Sequence, residues 1–294
     1  MKVKGVALLA CALLLAACEK GFVEEETPVP APEGRGNVTL RVSMLDIIPF
    51  GNVTTTKGAQ EIGSLCSRLS FVVFQGDDKV KAVNQKGGDE GFGSVTLNLA
   101  EGSYQLVVIA HSCDGTATVT TPSKITFPSN VVSDTFYYYG QLTVGSGAQT
   151  EELALTRAVA MVRLTTNDNI PANVENMKFY YTGGSSTFDA TTGYGNVNSR
   201  QTVNIGVTEG MRGQPGCFEV YTFPHEETGT LKMTVTAEDG QKNAVQEREF
   251  AAVPIQRNYI TLMSGEFFNS SSSYGQTFAL TADGEWDGEN AMGF

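Results

Sequence analysis

The residue best placed to do chemistry is Cys18. It closes the run Leu15-Ala16-Ala17-Cys18, behind an apolar stretch from Val6 to Leu15 and two leading lysines, Lys2 and Lys4. A charged front, a short apolar segment, small residues and then a thiol is the pattern that lipid attachment to a cysteine requires. The apolar stretch is about half of the ~20 residues that span a bilayer. Cleavage before Cys18 makes residues 1–17 a signal peptide. Acyl chains on Cys18, at ~0.8 kcal/mol per buried methylene, then hold the remainder to the membrane. An ordinary secretory signal cut near the same place is the plainer alternative.

The other reactive side chains are few. Cys66, Cys113 and Cys217 allow at most one internal disulfide, and no two of them sit at zinc-ligand spacing; most read as small buried apolar residues. His111 and His225 are the only histidines and read as polar residues at strand ends. No nucleophile elbow and no phosphate-cradling glycine loop occurs. The stretch Asp283-Gly284-Glu285-Trp286-Asp287-Gly288 echoes a calcium loop, but the twelfth position, where the bidentate glutamate belongs, is Phe294. The chain is therefore read as non-enzymatic, with no metal and no cofactor. Tyr137-Tyr138-Tyr139 reads mainly as packed rings; turned outward, the rings would make a sugar-stacking platform.

These residues must be carried by strands. Threonine, valine and glycine abound, and no long stretch shows a helical apolar rhythm. Residues 18–35 form an acidic, proline-rich tether that cannot bury a core, with Glu24-Glu25-Glu26 ahead of Pro28, Pro30 and Pro32. From Gly36 the chain alternates: Val38, Leu40, Val42 and Met44 face one way, Thr39, Arg41 and Ser43 the other. Further strands are expected at 69–74, 94–99, 104–110 and 135–144, with residues 100–103 as a hairpin connection. Gly145-Ser146-Gly147 breaks the pattern near the expected boundary between a domain at 36–152 and one at 153–294. In the latter, 158–164 reads as strand, 183–199 as a glycine-rich loop, and Asp239-Gly240 as a two-residue turn. The count fits two sandwiches of about seven strands each, so the fold class is all-β. No internal sequence repeat is visible.

The whole chain of 294 residues carries a formal charge of −12; residues 1–17 hold two lysines and no acid, so the rest stands at −14. Such a surface repels nucleic acid and anionic headgroups.

In order along the chain, the lipobox at Cys18, the isolated first strand at 37–45, the long loop before 67–74, the run Leu99-Ala100-Glu101-Gly102-Ser103-Tyr104, the run Leu155-Thr156-Arg157-Ala158-Val159-Ala160-Met161-Val162 and the run Pro254-Ile255-Gln256-Arg257-Asn258-Tyr259-Ile260-Thr261 resemble the fimbrillins of Bacteroidia that build type V pili. That family includes the membrane anchors of the major and minor fimbriae. The resemblance implies two transthyretin-like β-sandwich domains in tandem and a surface-exposed lipoprotein of the cell outer membrane. It also implies partnership with other fimbrial subunits, and with host or bacterial surface ligands. Subunits of that family join by strand exchange: a protease cuts after an arginine beyond the first strand, and a neighbour's C-terminal segment fills the groove left behind.

Here the exchanged strand would be Val38, Leu40, Val42 and Met44, and the donor Phe278, Leu280 and Ala282. Between the first strand and Arg68 there is no arginine; Lys57 is the only basic residue and so the only processing candidate. An uncleaved anchor or accessory subunit is the favoured reading. A glycan-binding surface lipoprotein, with the tyrosine run as its platform, is the alternative.

Overall fold

A computed structural model describes residues 34–46, 62–269, 277–283 and 286–293, with side chains described for 34–43 and 62–269. Cys18, nearly all of the tether, and Lys57 lie outside the described residues. So do the side chains of Met44, Phe278, Leu280 and Ala282. The body is nearly all strand, as the alternation of apolar and polar residues requires.

The first half contains β1 (Arg35–Asp46), β2 (Arg68–Gln75), β3 (Asp78–Lys86), β4 (Ser94–Ala100) and β5 (Gly102–His111). After them come β6 (Thr118–Thr121), β7 (Lys124–Thr126), β8 (Thr135–Val144) and β9 (Ala148–Arg157). The second half contains β10 (Ala160–Thr166), β11 (Asn176–Gly184), β12 (Thr187–Asp189), β13 (Tyr194–Gly195), β14 (Ser199–Gly206) and β15 (Cys217–Thr222). It continues through β16 (Thr228–Glu238), β17 (Ala244–Gln256) and β18 (Tyr259–Gly265) to β19 (Thr277–Asp283) and β20 (Trp286–Gly293). β9 runs through residues 152 and 153, where the sequence reading divides the chain.

The two halves repeat one topology that the sequence hides. β3-β2-β5-β8 in the first corresponds to β14-β11-β16-β17 in the second, and β9-β1-β4 corresponds to β18-β10-β15. In each half the opening strand runs parallel to the closing strand (β1 with β9, β10 with β18) and antiparallel to a third (β1 with β4, β10 with β15). The halves differ at one seam. β8 meets β9 over Phe136↔Arg157 and Tyr137↔Thr156, which fuses the first half into a seven-stranded sheet. In the second half β20 instead pairs with β18, in parallel, and β19 follows on the outside.

Two cores fill the halves, one around Phe71, Leu106 and Phe136 and one around Phe179, Phe218 and Phe250. A third core belongs to both. Val72, Phe74, Val107 and Ile109 of the first half meet Met161, Phe188, Phe223 and Ile260 of the second. Over it lies a small sheet, β6-β7-β12-β13, built across the halves through Thr187↔Thr126 and Phe188↔Ile125. The expected glycine-rich loop at 183–199 is thus partly strand.

Two other local expectations are corrected. Residues 100–103 are no hairpin: β4 pairs with β1, whereas β5 pairs with β2 and β8. Leu97 and Leu99 share a core with Tyr104 and Leu106, so the chain arches over that core instead of folding back beside itself. Asp239-Gly240 is no two-residue turn. The loop runs from residue 239 to 243, its left-handed position is Lys242 (φ 64°), and Asp239 Oδ1 accepts the N–H groups of Gln241 (2.9 Å) and Asn243 (2.8 Å).

Candidate functional site

β1 is the element on which strand exchange would act. It forms ladders on both edges, with β4 from Arg35↔Ala100 to Arg41↔Ser94 and with β9 from Asn37↔Ala148 to Asp46↔Thr156. Of its inward residues, Val38 and Leu40 are fully buried and Val42 is half-buried against the same core. Burying two such side chains is worth ~3–6 kcal/mol. Its outward face is tied lightly: Thr39 Oγ1 lies 2.9 Å from Thr96 Oγ1, and Arg41 Nη1 lies 3.9 Å from Glu152 Oε1. At Gly36 any Cβ would collide with the carbonyl of Gly145, so glycine is required where the strand enters. β4 has no other strand partner among the described residues, so withdrawal of β1 would strand β4 and leave β9 paired only through its short ladder with β8.

The C-terminal hairpin leaves the body at a fixed point. The Asp168 carboxylate accepts three successive backbone N–H groups, from Phe267 (2.8 Å), Phe268 (2.6 Å) and Asn269 (2.8 Å). β20 then lies along β18 from Tyr259↔Gly288 to Ser264↔Gly293, and β19 is the outermost strand of its sheet. The backbone of the expected donor residues Phe278, Leu280 and Ala282 is in β19. No sequence signal marked Asp168, because one aspartate in a loop looks like any other.

The two late stretches that carry the family resemblance converge at one buried ion pair. Arg157, 1% exposed, holds Asp134 with both ends of its fork: Nε to Oδ1 at 2.8 Å and Nη2 to Oδ2 at 2.9 Å. Its Nη1 donates to Asn258 Oδ1 at 3.2 Å, and the guanidinium lies 4.7 Å above the Phe136 ring. Asn258 adopts a left-handed turn (φ 63°) and its N–H donates to the carbonyl of Val159 at 2.8 Å. One side chain therefore joins the end of β9, the segment before β8, and the β17–β18 turn.

The three described cysteines are free thiols: Cys66 buried, Cys113 half-buried, Cys217 exposed. Burial, and then the nearby Asp134 carboxylate, push the Cys66 thiol well above its ordinary range. Cys113 Sγ sits 3.0 Å from Nδ1 of His111, whose ring is completely buried against the edge of Phe127. Burial first and Arg68 second push His111 down to about 4, and its Nε2 has no hydrogen-bond partner. Burial also raises the Cys113 thiol, so the shifts on both side chains favour their neutral forms. Among the described residues no group of three or more His, Cys, Asp or Glu side chains gathers as a metal site. No helix among them is long and apolar enough to cross a membrane.

The tyrosine run divides between two cores. Tyr138 packs on the first-half core, while Tyr137 and Tyr139 pack on the shared one. Phe188 stands edge-on to Tyr137 at 4.8 Å, and Arg257 Nη1 donates to its hydroxyl at 3.4 Å.

A model of the fimbrillin-A associated anchor proteins Mfa1 and Mfa2 matches residues 24–277, which spans β1 through the start of β19. The chain belongs to this family. Among solved structures, a candidate adhesin from Bacteroides ovatus is similar at TM-score 0.48 and 11% identity, over 81% of this chain and 88% of that one. The fimbrial anchor protein Mfa2 from Porphyromonas gingivalis is similar at TM-score 0.43 and 10% identity, over 74% and 83%. A fimbrial assembly protein from Parabacteroides distasonis is similar at TM-score 0.36 and 11% identity, over 76% and 88%. No curated protein matches the sequence. The fimbrillin-A associated anchor family is structural, and this member is a fimbrial subunit.

Proposed function

We propose that this fimbrial subunit is held at the outer membrane by lipid on Cys18, keeps its first strand uncut, and joins the next subunit through residues 277–293. The observation that carries the reading is the two-sided ladder of β1, with Val38 and Leu40 fully buried beneath it. The first arginine after β1 is Arg68. It lies in β2, paired on one side with Lys86 of β3 and on the other with His111 of β5, where a protease cannot draw the chain out. Lys57 would need a protease of another specificity.

In this reading the groove stays filled by the chain's own first strand, so the subunit donates without accepting. It stands at one end of a fibre and lends its C-terminal hairpin to a neighbour, whose groove supplies apolar contacts and backbone partners. The hairpin must first leave β18, to which it is joined by a parallel ladder, slightly less stable per residue than an antiparallel one.

Mass spectrometry of protein extracted from the cell surface tests the first part. An acylated Cys18 at the N-terminus is the expected result, and an N-terminus at Gly58 overturns it. Deleting residues 270–294 tests the second: the truncated subunit should fold and reach the membrane yet drop out of fibres. Normal incorporation of the truncated chain would refute the donor role.

A further inference from the structure

A groove of about 400 Å³ lies along β5 and β8 where Tyr139 borders the shared core, within the range of small-ligand sites. Its walls are Ser103, Tyr104, Gln105, Tyr139 and Gln141, together with Gly76 and Gly140. Register explains the grouping. Val107 stands opposite Tyr139, and two residues along, on the same face, Gln105 stands opposite Gln141. Val107 and Tyr139 belong to the shared core, so the aromatic ring is fixed from below, while both glutamines are exposed.

The polar groups of this groove are unspent. Among the described residues, the side chains of Ser103, Gln105, Tyr139 and Gln141 find no hydrogen-bond partner. Tyr104, whose ring turns to the other face, does: its hydroxyl donates to the carbonyl of Ala100 at 2.9 Å. A second surface hollow, around Asn176 and Glu238, has spent its groups on itself. There Asn176 Nδ2 donates to Asn204 Oδ1 (3.1 Å) and Glu238 Oε2 (2.9 Å), and Lys178 Nζ lies 3.4 Å from Glu238 Oε1. Among the described residues no charged side chain lines the first groove.

A packed tyrosine ring with its own hydroxyl, flanked by two carboxamides and the Ser103 hydroxyl, matches one ligand chemistry. Each carboxamide both donates and accepts, as a sugar hydroxyl does, and the ring face takes the C–H face of a pyranose. The missing charge disfavours anionic or cationic partners. We propose that the Tyr139–Gln105–Gln141 groove binds an uncharged hexose unit of a surface glycan. This is independent of fibre assembly, since neither β1 nor the C-terminal hairpin lines the groove.

Fluorescence polarisation of the purified full chain with labelled hexasaccharides tests it. The probes are the maltose, mannose, cellulose, xylan and chitin series, plus an acidic heparin-derived hexasaccharide. At least one neutral series should bind and the acidic probe should not. Replacing both amides (Gln105→Ala with Gln141→Ala) should weaken binding about tenfold, the worth of two hydrogen bonds. Tyr139→Ala should weaken it by about tenfold as well, and Tyr139→Phe should retain most of the affinity because the ring remains. The two glutamines are exposed, so their loss cannot be confused with unfolding. No binding of any neutral series overturns the proposal, as does binding unchanged in the double glutamine variant or equally strong binding of the acidic probe.

Discussion

His111 and Arg157 are buried polar side chains with opposite electrostatic solutions. His111 is kept neutral: with its pKa lowered from 6.5 to about 4, the folded state refuses a proton that the unfolded chain accepts. Its contribution is therefore intact above pH 6.5 and is lost as pH falls from 6.5 towards 4, by about 3 kcal/mol in all. Urea midpoints measured across that window should fall with acidification, and His111→Gln should flatten the slope. Arg157 is instead satisfied by a bidentate carboxylate, and Arg157→Met should cost about 3–5 kcal/mol by leaving the half-buried Asp134 carboxylate without that partner. The same urea titrations read that loss.

Neither histidine nor arginine announces this in sequence. His111 reads correctly as a residue at a strand end, but its burial comes from Phe127, sixteen positions on. The three-way contact of Arg157 joins residues 23 and 101 positions apart. Asp239 is the converse case: local spacing marks it as a turn former, which it is, but its carboxylate ties a five-residue loop. Hydrogen bonds from Asn243 hold that exposed carboxyl below its ordinary pKa.

At the scale of the element, strands are legible wherever one face is buried and the other is wet. β1, β4 and the first part of β16 alternate cleanly, and their positions follow from sequence. Connections are less legible. A four-residue link such as 100–103 serves either a hairpin or an arch, and the choice depends on which core the flanking leucines share. Strand β3 carries no such signal because it is exposed on nearly every residue, including Val80, and sits at a sheet edge guarded by Lys79, Lys81 and Lys86. For β1, the decisive position is Leu40. Leu40→Ala removes a fully buried side chain and should cost about 2–5 kcal/mol. Thr39→Ala, on the outer face, should cost far less, and thermal melts of the two variants distinguish an inserted strand from a loosely laid one.

For the whole molecule, the repeat of topology without repeat of sequence has a physical reason. Each half needs only apolar residues on the right alternate positions, and many sequences satisfy that pattern. What distinguishes this chain is the material between the halves: the third core and the sheet β6-β7-β12-β13. Phe188→Ala should therefore lower the melting of both halves together, by about 3–5 kcal/mol, as a single transition. Two separated transitions in calorimetry would show the halves to be independent.

The parallel pairing of first and last strands also determines how the body answers a pull from its two ends. Tension drawing Gly34 and Asn269 apart tugs β1 by its start and β9 by its finish, and these lie at opposite ends of one parallel ladder. Every rung between them is loaded in shear at once, and none can be peeled in turn. β10 and β18 reproduce the same clasp in the second half, so the chain carries two shear locks in series along the line of force.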